Sequence, residues 1–262
     1  MDLNLRGRKA IITGASRGIG AAIAQGLAEE GVNVALLGRK PDACKALSEV
    51  LVGEYGVQAP IVQLDLLERD RIKPAVDEAV EALGGLDILV NNAAGFYRGG
   101  LTDIPEDILE ENFIIKPIGL MRMARECVSY LENSDQARII NLSGPRGREP
   151  SLHSTMSGPI NMGTNSATKA LANLFGPKGI TVNAICPGST DTDRWDELVE
   201  RTMRIHGLDK KGAETLICEE VPLGCVIRMQ DVADLAVFIA SSRASRISGT
   251  AINVDGGRSR GI

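Results

Sequence analysis

The stretch Thr13-Gly14-Ala15-Ser16-Arg17-Gly18-Ile19-Gly20 decides how the chain folds. It follows a short apolar run at residues 10–13 and leads directly into an amphipathic segment at 21–30. Glycines at 14, 18 and 20 let the backbone bend tightly and bring its N–H groups close to a ligand. A helix starting there adds the positive end of its dipole. Strand, glycine turn and helix in this order imply a cradle for a pyrophosphate at the start of a βαβ unit.

Working outward, further runs rich in Val and Ile lie at 32–37, 61–64, 86–91, 139–142, 180–186 and Ala251–Val254, with helical segments between them. These runs are apolar on both faces, as expected for strands of a parallel sheet covered by helices on both sides. The fold class is therefore α/β: a single Rossmann-type domain with a doubly wound, seven-stranded parallel sheet. No linker, low-complexity tract or internal repeat divides the chain. One long polar insertion, residues 189–223 with Trp195, follows a strand at the end where such sheets bind ligands. It reads equally well as a lid or as a static capping helix.

Composition agrees. In 262 residues, 44% are hydrophobic, only 3% are aromatic and 29 are glycine, which suits tight helix-on-sheet packing. The net charge of −5 carries no basic block, so nucleic acid is not an expected partner. No apolar run is long enough for a membrane span and the start lacks a signal-peptide core, so a cytoplasmic location is expected. Cys44, Cys127, Cys186, Cys218 and Cys225 are widely spaced and read as buried structural thiols, and no metal site is expected. His206 reads as a surface residue on an amphipathic helix.

The spacing T-G-x-x-x-G-x-G resembles that of the short-chain dehydrogenase/reductase family, and other landmarks follow in order. These are Asp65 after the third run, Asn91-Asn92-Ala93-Ala94-Gly95, Pro187-Gly188 with Thr192, and Val254-Asp255-Gly256-Gly257. The resemblance spans essentially the whole chain. It implies a dinucleotide site made by Gly14, Ser16, Arg17, Gly18, Ile19, Gly20, Arg39, Asp65, Leu66, Asn92, Ala93, Ala94, Pro187, Gly188 and Thr192.

The end of the second strand bears on which dinucleotide binds. An NAD enzyme places an acid there for the 2′-hydroxyl, but this chain has Gly38 followed by Arg39. A guanidinium from Arg39, aided by Arg17, would pair with a 2′-phosphate, so NADP(H) is the expected cofactor.

Family members protonate the substrate oxygen with a tyrosine whose pKa is lowered by a lysine, assisted by a serine and an asparagine. No Y-x-x-x-K occurs at the expected place. Asn165-Ser166-Ala167-Thr168-Lys169 imitates it, but adopting that match removes about two helical turns before Pro177. Gapless counting instead places Ser157 at the tyrosine, Asn161 at the lysine, Gly144 at the serine and Lys116 at the asparagine. Lys116 and Asn161 then look exchanged, and Lys116, Ser157 and Asn161 are the candidate catalytic residues. A Lys116 buried without an anion would titrate nearer neutrality.

Arg98, Arg146 and Arg148 leave neighbouring strand ends and, with Lys116, favour an anionic substrate or phosphate groups such as those of an acyl-CoA. Two functions remain open. One is an NADP(H)-dependent oxidoreductase acting on a carbonyl, an alcohol or an activated C=C bond. The other is a catalytically inactive NADP(H)-binding protein acting as a sensor or partner subunit. The family resemblance also implies a homotetramer formed through helices at 106–131 and about 161–174, the first interrupted at Pro117.

Overall fold

The structure is a computed structural model describing residues 2–95, 101–150 and 155–260. Seven parallel strands form one sheet in the order β3-β2-β1-β4-β5-β6-β7. They are β1 Lys9–Thr13, β2 Asn33–Gly38, β3 Ile61–Gln63, β4 Ile88–Asn91, β5 Arg138–Leu142, β6 Thr181–Pro187 and β7 Ala251–Val254. Each agrees with an expected run to within two residues at either end. The helices are α1 Gly18–Glu29, α2 Lys45–Tyr55, α3 Ile72–Leu83, α4 Glu106–Phe113, α5 Gly119–Leu131, α6 Ser157–Phe175, α7 Asp193–His206, α8 Lys210–Glu219 and α9 Met229–Ala240.

Alternation along each strand builds two apolar layers. Ala10, Ile12, Val34, Leu36, Ile88 and Val90 face one side and pack with α1 and α9. Ile11, Ala35, Leu37, Leu89 and Ile139 face the other and pack with α3 and α5. Gly26 on α1 allows the close approach of α9, since a Cβ there would stand 3.2 Å from Val237 Cγ2. No described helix is long and apolar enough to cross a membrane.

The structure differs from the sequence expectation at the start of α1 and at two cysteines, and it gives the expected interruption at Pro117 its form. Helix α1 begins at Gly18, so the last glycines of the turn already form its first turn. The stretch at 106–131 divides into α4, a π-helical turn at Ile114–Ile118 and α5. Pro117 sits in that turn, where its missing N–H and its ring prevent a regular α-helical step. Cys44, Cys127 and Cys186 are buried, but Cys218 is only partly covered and Cys225 is exposed beyond α8.

Residues 189–223 hold α7 and α8. The neck of this insertion is pinned on both sides: Thr190 bridges Ile227, and Met229 N donates to Asp191 Oδ1 at 2.7 Å.

Candidate active site

Strand order reverses between β1 and β4, opening a crevice at the carboxyl ends of the strands. Thr13 closes β1 there. Its Oγ1 accepts from Asn92 N at 3.0 Å and Ala93 N at 3.1 Å. Asn92 Nδ2 returns to the carbonyls of Thr13 and Gly14 at 3.1 and 3.0 Å. These bonds lock the glycine turn to the Asn92-Ala93-Ala94 loop. Gly14, with φ of +66°, has Ala93 Cα 3.0 Å from where a Cβ would stand, and a Cβ on Gly20 would overlap Asn92 Nδ2 and the Gly14 carbonyl. The N-cap Arg17 makes no side-chain cap to α1, which leaves the first N–H groups of the helix to an anion.

The other expected cofactor residues border the same crevice. Ser16 and Ile19 flank the turn. Arg39 is exposed at the end of β2, and among the described residues the only atom near a Cβ at Gly38 would be Cys44 Sγ, at 3.7 Å. Asp65 turns back to accept from Leu67 N at 3.0 Å, while Leu66 packs against Gly119, 3.2 Å from a Cβ there. Gly188 passes within 2.9 Å of Asp255, measured from a built Cβ, and Thr192 Cγ2 lies 3.5 Å from the Cβ position of Gly18. Arg17 Nη1 pairs with Asp193 Oδ2 at 2.6 Å, linking the glycine turn to the start of α7.

Across the crevice, Lys116 projects from the π turn. Its Nζ donates to Asn161 Oδ1 at 2.7 Å and to the Ser143 carbonyl at 3.1 Å. The residue as a whole is only partly covered, but its ammonium group is enclosed by protein atoms and both partners are neutral. Burial first, then the Arg194 charge, lowers its pKa from 10.5 to about 8, with Cys186 opposing. Ser143 Oγ donates to the Asn161 carbonyl at 3.2 Å. Gly144 leaves room for the Asn161 amide, whose Nδ2 would lie 2.9 Å from a Cβ at that position. Ser157 opens α6 one turn before Asn161, on the same face.

The segment 165–169 carries its lysine away from Lys116 and toward Gly249. Lys169 is exposed, with its Cδ 3.0 Å from the Cβ position of Gly249 in the loop before β7. Its neighbour Thr168 is buried and accepts from Asn141 Nδ2 at 2.9 Å. Asn141 in turn accepts from Asn91 Nδ2 at 2.9 Å, so a polar column ties α6 to β5 and β4 beneath the site.

Of the three arginines expected at the mouth, Arg98 lies outside the described residues, as does His153. Arg148 is exposed and donates through Nη2 to the Ala251 carbonyl at 3.0 Å, because edge strand β7 has an open side there. Arg146 remains half-buried by the start of α6. Arg194 on α7, whose charge acts on Lys116, was not among the expected site residues. Its position two residues after Thr192, at the start of the insertion, was the available signal.

Comparison with known proteins matches this arrangement. A family model described as enoyl-(acyl carrier protein) reductase fits residues 14–259. The 3-oxoacyl-[acyl-carrier-protein] reductase of Aquifex aeolicus is 32% identical over 98% of this chain and 99% of its own. The chain belongs to the short-chain dehydrogenase/reductase family. Among other members, the NADPH-dependent reductase BacG of Bacillus subtilis is 28% identical over 97% of this chain and 99% of its own. The L-sorbose reductase of Gluconobacter frateurii, solved with NADPH and L-sorbose, superposes with a TM-score of 0.94 at 27% identity, covering 100% of both chains. As a short-chain dehydrogenase/reductase, the chain shares its single α/β domain and parallel sheet with these enzymes.

Proposed function

We propose that the chain is an NADP(H)-dependent oxidoreductase acting on the carbonyl, alcohol or activated C=C group of a small anionic molecule, with Lys116 as the proton donor in reduction. The observation that carries this reading is the enclosed Lys116 ammonium, held by Asn161 and Ser143 with no anion in its bonds. Structural proteins seldom keep such a charge, because desolvation costs more than two neutral acceptors return.

The crevice fits a dinucleotide: Gly14 and Gly20 have no space for a side chain, and the α1 terminus, where the N-cap Arg17 makes no side-chain cap, suits a pyrophosphate. Exposed Arg39, with no acid at Gly38, suits a 2′-phosphate, and relatives described as NADPH-dependent agree. Bound there, the nicotinamide supplies a hydride. The other steps belong to this chain. Lys116 Nζ gives its proton to the oxygen or carbon that becomes negative, and Asn161 Oδ1 with the Ser143 carbonyl keeps the amine oriented. Ser157 hydrogen-bonds the substrate. In this reading Ser157, Asn161, Gly144 and Lys116 stand at the family's tyrosine, lysine, serine and asparagine positions. The contact of Asn161 with both Gly144 and Lys116 supports that alignment.

The insertion at 189–223 acts as a lid through the Arg17–Asp193 contact, and exposed Met121, Met162 and Leu174 on α5 and α6 suit burial in a tetramer. The test is NADPH oxidation with unsaturated and 2-oxo acids. Lys116→Ala should remove turnover while NADPH affinity persists. If no acid, ketone or enoate is turned over by the wild type while NADPH binds tightly, the chain is instead a cofactor-binding partner or sensor.

A further inference from the structure

Past the carboxyl ends of β5 and β7, two segments far apart in sequence meet. One is the turn at Pro145–Gly147 after β5, which carries Arg146. The other follows β7 and carries Arg258. Glu149 Oε1 accepts from Arg260 N, joining them, and Leu223 N donates to the Gly256 carbonyl at 3.2 Å, bringing in the end of the insertion. Arg146 also lies beside Ser157: its carbonyl is 3.4 Å from the Cβ position of Gly158.

The two arginines are not equally partnered. Arg258 is largely covered and pairs with Glu220, so its charge is matched. Arg146 is half-buried, and among the described residues its guanidinium has no hydrogen-bond or ion-pair partner. Arg258 is its leading charged neighbour, and Glu220 and Glu149 act on it less. A guanidinium with five donors, partly removed from water and left beside another cation, is unfavourable unless an anion completes it. With the Glu220 and Glu149 carboxylates also acting on this spot, a monoanion suits it better than a dianion, and the planar fork of Arg suits a carboxylate.

We propose that Arg146 and Arg258 form a carboxylate-binding subsite, so that the substrate is a small carboxylic acid whose reducible group is presented to Lys116 and Ser157. This rests on the reductase reading for the second half of the statement, whereas the binding itself does not. Glu220 is a positioning residue that holds Arg258 in place.

The probes are trans-crotonate, its neutral methyl ester and inorganic phosphate, added at equal concentration and ionic strength to protein saturated with NADPH. Melting temperature is recorded for the wild type, Arg146→Met, Arg258→Met and the distant control Arg243→Ala. Crotonate should raise the wild-type melting temperature by about 2 °C or more while the ester does not. Each Met variant should weaken crotonate at least about tenfold but keep its NADPH-induced shift, which shows that it is folded. The Arg243 variant should respond like the wild type. Equal shifts with acid and ester, unchanged crotonate response in the Met variants, or phosphate stabilising as strongly as crotonate would each overturn the subsite. If crotonate binds through the arginines but no acid is ever reduced, the subsite stands and the reductase reading fails. If neutral carbonyls are turned over without arginine-dependent carboxylate binding, the reductase reading stands and the subsite fails.

Discussion

Replacing Lys116 by methionine should stabilise the protein at neutral pH, even though it removes two hydrogen bonds. Lowering the ammonium pKa from 10.5 to about 8 means that the folded state holds the charged form at a penalty of about 3 kcal/mol. Losing the bonds to Asn161 Oδ1 and the Ser143 carbonyl costs about 1 kcal/mol each. The net gain is about 1 kcal/mol at pH 7, or roughly 2–4 °C in Tm for a chain of this size. The pH dependence is more specific. Because the folded-state pKa lies below the unfolded one, the unfolded chain binds more protons between about pH 8 and 10.5, and wild-type stability rises through that window. Below pH 8 the full penalty is present; above 10.5 it is gone. Urea denaturation of both proteins at pH 7, 8, 9 and 10 should show the variant ahead at pH 7 and the wild type overtaking it as pH rises. A variant that is less stable at pH 7 by a margin independent of pH would refute the assignment of a desolvated, unpaired charge.

Four further outcomes follow from the same geometry. Gly38→Asp, whose Cβ would stand 3.7 Å from Cys44 Sγ, should fold normally yet narrow or reverse the NADPH-over-NADH difference in melting shift by about tenfold in affinity. Equal stabilisation of the wild type by the two nucleotides would contradict the role of Arg39. Gly20→Ala drives a Cβ into Asn92 Nδ2 and the Gly14 carbonyl, so urea titration should show a loss of about 1–3 kcal/mol together with weaker NADPH binding. Light scattering at micromolar concentration should give a tetramer, and Leu174→Asp, placed at an exposed α6 position, should lower the mass; a monomeric wild type refutes it. The reduction rate plotted against pH should fall on the alkaline side, at or above about pH 8, as Lys116 loses its proton, and Lys116→Arg should remove that limb.

The strands and the junction of the glycine turn with the Asn92 loop were legible because local sequence carries them. An apolar run flanked by a glycine turn fixes a strand end, and Thr13, Gly14 and Asn92 bond to each other just where their motifs adjoin. The pairing of Lys116 with Asn161 was foreseeable only by counting, since 45 residues separate them and the chain itself gives no local sign. Other features depended on tertiary context. Arg148 looked like a mouth residue, but the open edge of β7 offered it a carbonyl. Arg194 and Arg258 act on Lys116 and Arg146 from the insertion and the final turn, segments whose placement no periodicity reveals. The π turn at Ile114–Ile118 was visible only as a proline in a helical pattern, though it is what turns Lys116 inward.

The most direct test compares NADPH oxidation by the wild type, Lys116→Ala and Lys169→Ala on one set of unsaturated and 2-oxo carboxylates, with NADPH affinity measured alongside. Lys169 is exposed and packs beside Gly249, so its loss should change stability by less than about 0.5 kcal/mol and leave turnover within about twofold. Lys116→Ala should lower turnover by about 100-fold or more at unchanged NADPH affinity. A silent Lys116→Ala with a damaging Lys169→Ala would contradict the account and make Asn165 and Lys169 the true remnant of the catalytic motif.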